Sequence, residues 1–332
     1  MKHLAVIGGG SWGTALAIVL ASRFETVRLW VYEADLASRM RATRVNDVYL
    51  PGLQLPEKIE VTSDLQEAVG GAEIVLSVMP SHLVRRIYEA MLPCLTPEMR
   101  FVSATKGLEN GSLLRMSEIV AEVVGRKFAP QIAVISGPTF AREVARLDPT
   151  ALVVASPSTD LNATIQAAFS GPTFRLYTSN DSIGVEIGGA IKNVVAIGAG
   201  VIHGMGLGHN ATAALITRGL AEMTRLAVAM GGKPQTLAGL AGLGDLVLTC
   251  TGELSRNRTV GIELARGRKL QEIVSSMKMV AEGIKTTDAA VDLAQRYSVE
   301  MPISAQMFQM LHFGVTPREA IERLMERSLK GE

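Results

Sequence analysis

Cysteine and a charge excess of either sign are what this chain of 332 residues has least of. Its 33 Lys+Arg stand against 32 Asp+Glu, leaving +1. No global basic field would recruit nucleic acid or an anionic membrane, so any recognition of anions must be local. The two cysteines, Cys94 and Cys250, lie far apart and in no metal-ligand spacing. That excludes a disulfide framework and suits a reducing, cytoplasmic compartment. His3, His82, His203, His209 and His312 show neither H-E-x-x-H nor another metal spacing, so no metal site is expected. There are no internal repeats and no low-complexity linkers. The opening MKHLAVIGGG has too short an apolar run for a signal peptide. From Asn193 to Thr217 there is no Asp, Glu, Lys or Arg, a stretch that a hydropathy window could mistake for a membrane span. Gly198, Gly200, Gly204, Gly206 and Gly208, with His203, His209 and Asn210, fit a buried helix followed by a glycine-rich loop instead, with no membrane insertion.

The length allows two domains, each with its own core. LAVI (4–7), VRLWVY (27–32), EIVLSVM (73–79), RFVSAT (100–105), IAVIS (132–136), ALVVAS (151–156) and TFRLYT (173–178) read as strands. Several are apolar at consecutive positions, as strands covered by helices on both faces are. The pattern predicts an α/β, Rossmann-like domain over 1–180 with a mostly parallel, doubly wound sheet. After Thr178 helical periodicity takes over and predicts an all-α domain over 181–332. ATAALITRGLAEMTRLAVAM (211–230) closes on Gly231 and Gly232, and TPREAIERLMERSLK (316–330) opens on Thr-Pro. A cleft between the two domains is the expected ligand site.

Gly8-Gly9-Gly10-Ser11-Trp12-Gly13 fits G-x-G-x-x-G directly after an apolar strand and at the head of a helical stretch. Gly8 permits the tight turn, Gly10 lets the backbone approach a pyrophosphate, and Gly13 lets helix pack on strand. The second strand ends at Tyr32-Glu33, and Glu33 stands where a carboxylate would accept the ribose hydroxyls. It would repel a 2′-phosphate, and the nearest following arginine is Arg39, so NAD is favoured over NADP. Nothing asks for a flavin.

Four segments place polar groups at element ends. Lys106 follows the fourth of these strands, at the carboxyl edge of the sheet; it is either a ligand contact or a solvated loop lysine. In SGPTFAREVA, Gly137 and Pro138 turn the chain and Thr139 stands beside a helix start, as an anion contact or a cap. Asp245 interrupts the apolar run AGLGDLVLTC and calls for a cationic partner, while Cys250 in the same run reads as a small buried residue. Ser255, Arg256, Asn257 and Arg258 lead into GIELARG and suit a phosphate, or an ordinary capped surface helix. Lys192 stands alone in VEIGGAIKNVV. On a helix it leans over Gly188 and Gly189, an arrangement that clears space for a small molecule, and Asn193 can orient a neighbouring polar group.

In order along the chain, GGGSWGTALA, the TKG of Lys106, SGPTFAREVA, EIGGAIKNVVAIGAG, GLGDLVLTC, SRNR and VAEG (280–283) closely resemble the NAD(P)-dependent glycerol-3-phosphate dehydrogenases. The resemblance implies hydride transfer between NAD(P)H and the C2 carbonyl of dihydroxyacetone phosphate, giving sn-glycerol 3-phosphate for glycerophospholipid synthesis, in a cytoplasmic homodimer. It implies that Lys192 is the proton donor and acceptor, with Lys106, Asn193, Asp245 and Thr249 around the reacting carbon. Gly137 and Thr139 would help hold substrate, and Ser255, Arg256 and Asn257 would grip its phosphate. Ser11, Trp12, Tyr32, Tyr49, Lys106, Ala141, Arg256, Val280 and Glu282 would touch the dinucleotide. At Tyr32 many bacterial members carry Arg or His and use NADPH, whereas WVYEAD resembles the NAD-preferring eukaryotic cytosolic form.

The chemistry agrees. As hydride adds to C2 the oxygen becomes an alkoxide, which a lysine ammonium can stabilise and protonate. Two lysines near one site would depress each other's pKa, with Asp245 positioning Lys192. Two other readings remain: a related β-hydroxyacid dehydrogenase, which would want a clamp for a substrate carboxylate, and a non-catalytic dinucleotide sensor, which would leave Lys106, Lys192 and Asp245 without a role.

Overall fold

The apolar runs of the first half assemble into one eight-stranded sheet in the computed structural model, which describes residues 1–277 and 281–328. The strands are β1 (His3–Ile7), β2 (Thr26–Trp30), β3 (Ile59–Thr62), β4 (Ile74–Ser77), β5 (Arg100–Ser103), β6 (Gln131–Ser136), β7 (Thr150–Ala155) and β8 (Phe174–Ser179). Their spatial order is β3-β2-β1-β4-β5-β6-β7-β8. Every neighbouring pair is parallel except β6 and β7. The order reverses at β1, the switch point at which open α/β sheets bind ligands.

Consecutive apolar residues are needed because both faces are covered. Leu4 and Val6 of β1 join one core layer with Leu16, Leu20 and Leu29. Ala5 and Ile7 join the opposite layer with Val75, Tyr88, Phe101 and Ile119. One strand, β3, escapes the sequence pattern: at four residues, paired only with β2 at the sheet edge, it lacks a long apolar run. The second strand also stops earlier than expected, at Trp30, so Tyr32 lies in the following turn and Glu33 is the N-cap of the helix Ala34–Thr43.

The chain divides into two compact units, one of residues 1–106 with 114–186, the other of 107–113 with 187–332. No strand follows Ser179 among the described residues. The helix Ser182–Gly204 is long and apolar enough to cross a membrane, yet its most apolar window is wholly buried in the protein. Gly198, Gly200 and Gly204 belong to this helix, and Gly206 and Gly208 to the short loop Met205–Gly208 before the helix His209–Ala229. Close approach explains Gly200 and Gly204. A Cβ on Gly200 would sit 2.0 Å from the carbonyl oxygen of Arg258, and one on Gly261 would sit 1.9 Å from that of Ile197. The helix Arg256–Ala265 therefore crosses the Ser182–Gly204 helix backbone to backbone.

Elsewhere in this unit a buried carboxylate serves as a cap. Glu222 accepts the backbone N–H of Ile303 at 2.6 Å and of Ser304 at 3.2 Å, closing the start of the helix Pro302–Phe313. Burial pushes its pKa up from 4.5 to about 7. The folded state thus keeps a proton that the unfolded chain releases. The resulting stability is full below about pH 4.5 and is lost as pH rises through about 7, with a size on the order of 1–3 kcal/mol. Urea unfolding at pH 5 and pH 8 should therefore show wild type losing more stability over that interval than Glu222→Gln. Equal losses in the two proteins would refute this.

Candidate dinucleotide and substrate sites

The turn after β1 has two glycines that the protein itself demands and one that it does not. Gly8 has φ +128°, and a Cβ there would lie 2.3 Å from the carbonyl oxygen of Val78. A Cβ on Gly13 would lie 1.8 Å from the oxygen of Gly8, so helix and turn touch there. Around Gly10, the N-cap of the helix Ser11–Leu20, a Cβ would meet no atom within 4 Å. The space in front of this helix start is open, and Ser11 and Trp12 form its first turn. Such an end, with free N–H groups and no side chain in the way, fits a pyrophosphate. Ala141 and Trp12 both pack on the first core layer, and the helix Ala141–Ala145 lies against Ser11–Leu20.

Asn46 stiffens this turn and gave no sign of doing so in the sequence. It is fully buried, donates to the Gly9 carbonyl and the Thr14 hydroxyl at 2.8 Å each, and accepts from the N–H of Tyr49 at 3.0 Å. Only the fold brings it 37 residues back to Gly9. The Tyr49 hydroxyl in turn donates to Glu33 at 2.7 Å. That bond to Glu33, with partial burial, raises the tyrosine pKa to about 12. Tyr32 is 65% exposed.

Also in the first unit, the Lys106 ammonium donates to the carbonyl oxygen of Gly137 at 3.0 Å and to the Thr139 hydroxyl at 3.2 Å. Gly137 has φ +152° and packs so tightly that a Cβ would lie 3.0 Å from Leu152 Cα. The three residues expected to hold substrate in this unit thus form one cluster at the carboxyl ends of β5 and β6.

In the second unit the Lys192 ammonium forms an ion pair with Asp245 and donates to the Thr249 hydroxyl at 2.9 Å. The two charged side chains are 7% and 1% exposed. The surroundings of Lys192 differ from the sequence reading, because Gly188 does not clear space for a ligand. A Cβ there would lie 2.6 Å from the carbonyl oxygen of Ala241, so the glycine admits the Leu240–Gly244 segment that delivers Asp245. Cys250 is buried, which raises its thiol pKa to about 12 and leaves it inert.

Beside this pair the side-chain Oδ1 of Asn193 accepts from the Asn257 side-chain amide at 2.9 Å, and the Oδ1 of Asn257 in turn accepts the N–H of Gly283 at 2.9 Å. A Cβ on Gly283 would lie 2.7 Å from the backbone oxygen of Asn193, so the last residue of VAEG is needed for this approach. Ser255 caps the helix Arg256–Ala265 by accepting from the N–H of Arg258 at 3.3 Å. Arg256 is the first residue of that helix, and desolvation around its guanidinium lowers its pKa, the charge of Glu282 offsetting only part of that effect. Val280 lies outside the described residues. Among the described residues no group of His, Cys, Asp and Glu is placed to hold a metal.

A glycine turn at the switch point of a mostly parallel sheet, with an open helix start and a carboxylate in the turn that follows the next strand, defines a Rossmann-type dinucleotide-binding protein. Models of NAD-dependent glycerol-3-phosphate dehydrogenase match the chain twice, the N-terminal one over residues 3–162 and the C-terminal one over 181–322. The chain belongs to the NAD-dependent glycerol-3-phosphate dehydrogenase family. It is 57% identical to the glycerol-3-phosphate dehydrogenase (NAD(P)+) of Koribacter versatilis over 329 residues, 98% of each chain. It is 54% identical to that of Citrifermentans bemidjiense, over 100% of this chain and 99% of the other. The crystal structure of glycerol-3-phosphate dehydrogenase from Coxiella burnetii superposes with a TM-score of 0.93 at 43% identity, covering 98% of this chain and 99% of that one.

Proposed function

We propose that this chain is an oxidoreductase that interconverts dihydroxyacetone phosphate and sn-glycerol 3-phosphate, with residues 1–180 binding the dinucleotide and 181–332 the substrate. The observation that carries this reading is the buried Lys192–Asp245 pair with Thr249. A buried ammonium is costly, and its retention next to a carboxylate and a hydroxyl suits a proton donor held in one orientation. Bound NAD(P)H supplies the hydride. Lys192 stabilises the alkoxide that forms at C2 and gives it a proton, which Asp245 and Thr249 aim. Lys106, Gly137 and Thr139 add substrate contacts, and Asn193 orients Asn257. Ser255, Arg256 and Asn257 hold the phosphate, with the Arg256 guanidinium as its main partner. Gly8, Gly10, Ser11, Trp12, Gly13, Glu33, Tyr49 and Ala141, with Tyr32, Lys106, Arg256 and Glu282, form the dinucleotide contacts. Glu33 accepts a ribose hydroxyl and favours NADH. A cytoplasmic homodimer supplying glycerophospholipid synthesis completes the reading.

Initial rates with dihydroxyacetone phosphate, dihydroxyacetone and each reduced nicotinamide test it. Arg256→Ala is expected to weaken substrate binding by about 1.5–3 kcal/mol, raising KM roughly 10- to 100-fold. Similar kcat/KM for the two ketones in wild type would remove the phosphate assignment, and no turnover of either would remove the function.

A further inference from the structure

We propose that Arg86, poised over the ring of Tyr32, is the residue that takes the 2′-phosphate of NADP and so keeps this chain open to both forms of the cofactor. The inference rests on the dinucleotide reading above and deepens it. In the sheet, Ile7 of β1 is level with Trp30 of β2 on one side and Ser77 of β4 on the other, so three strand ends line up around the glycine turn. Tyr32 leaves one flank of that turn two residues after Trp30. Arg86 comes from the other flank, on the helix Val84–Met91 that follows β4. Its guanidinium carbon lies 6.0 Å from the centroid of the Tyr32 ring. The ring is itself braced edge-on against Trp30 at 6.0 Å, whose indole N–H is tied to the Ser63 carbonyl at 3.1 Å.

What singles out this cation is its lack of a carboxylate. Arg39, the nearest arginine in sequence after Glu33, is held by Asp35 at 3.0 Å and Asp47 at 3.3 Å. Arg85, its chain neighbour, pairs with Glu122 at 2.8 Å. Arg86 is exposed and has no ion-pair partner among the described residues. A guanidinium stacked on an aromatic face, with its N–H fork unspent, is suited to bidentate capture of a phosphate. The ribose hydroxyl that NADP carries as a phosphate belongs beside the residues at the end of β2. There Glu33 repels the added charge, and Arg86 offsets that repulsion from the opposite flank. Glu33 keeps NADH ahead while Arg86 keeps NADPH usable.

The test measures Kd for NADH and NADPH by fluorescence titration, together with kcat/KM for each, on wild type, Arg86→Ala and Glu33→Gln. Arg86→Ala is expected to weaken NADPH about 10- to 100-fold and to change NADH less than about twofold, the range for loss of hydrogen bonds to a charged group. Glu33→Gln should move the ratio the opposite way. Equal losses for both cofactors would mean that Arg86 contacts the adenosine common to them and would overturn the proposal alone, as would no change for either. Binding of both cofactors without turnover of dihydroxyacetone phosphate would strike the catalytic reading and leave this one to be decided by the Kd ratio. Wild type binding neither cofactor would overturn both.

Discussion

Lys192→Met is expected to lower kcat by about 10²–10⁴-fold, the usual contribution of a positioned general acid, with dinucleotide affinity little changed. The side chain keeps its length and apolar stem and loses its charge and proton. Burial adds a second consequence. Asp245 is 1% exposed and loses its ion-pair partner, so the single variant should also lose about 3–5 kcal/mol of stability. Under the proposed reading one lysine serves in both ways, as proton donor and as the partner that a buried Asp245 requires. The double variant Lys192→Met/Asp245→Asn separates the two. Without a stranded charge it should regain most of the melting temperature while kcat stays at the low value. A double variant that regained turnover, or a single variant with near-normal kcat, would show that Lys192 is structural only.

Opposite outcomes are expected at two glycines only three residues apart. Gly10→Val adds a side chain where nothing stands within 4 Å, so the apo protein should melt close to wild type. Its affinity for NADH should fall by at least about 100-fold, or about 2.7 kcal/mol, because the added group takes the pyrophosphate's place. Gly13→Val drives atoms into the carbonyl oxygen of Gly8, 1.8 Å from its own Cβ position. That change should destabilise the sheet domain itself by more than about 3 kcal/mol. Thermal melts and cofactor titrations on both variants check this. A Gly10→Val protein that binds NADH normally would place the dinucleotide elsewhere.

The legible parts were those in which a residue conflicts with its immediate neighbours. Lys192 and Asp245 each stand alone in an apolar run, and a lone charge needs a partner, so their pairing could be read without coordinates. The sheet was legible because two-sided burial forces continuous apolar runs. What was lost depends on distant chain arriving. Asn46 braces the glycine turn from 37 residues away, and nothing around it advertises the contact. Gly188 read as space for a ligand because the path of Leu240–Gly244 is invisible locally. Gly200 and Gly204 would weaken an isolated helix, and only the arrival of the helix Arg256–Ala265 in the groove that they leave shows why they are there. Arg86 meets Tyr32 only because β1 lies between their strands.

The crossing at Gly200 and Gly261 makes two helices behave as one casting. Main-chain atoms meet there, with no side chain between them that could change rotamer and let the pieces slide. Lys192 belongs to one helix and Arg256 to the other, and the Asn193–Asn257 hydrogen bond pins them again close to both residues. The main-chain positions that carry Lys192 and Arg256 are therefore held at one fixed separation, and the two side chains start from a rigid common base.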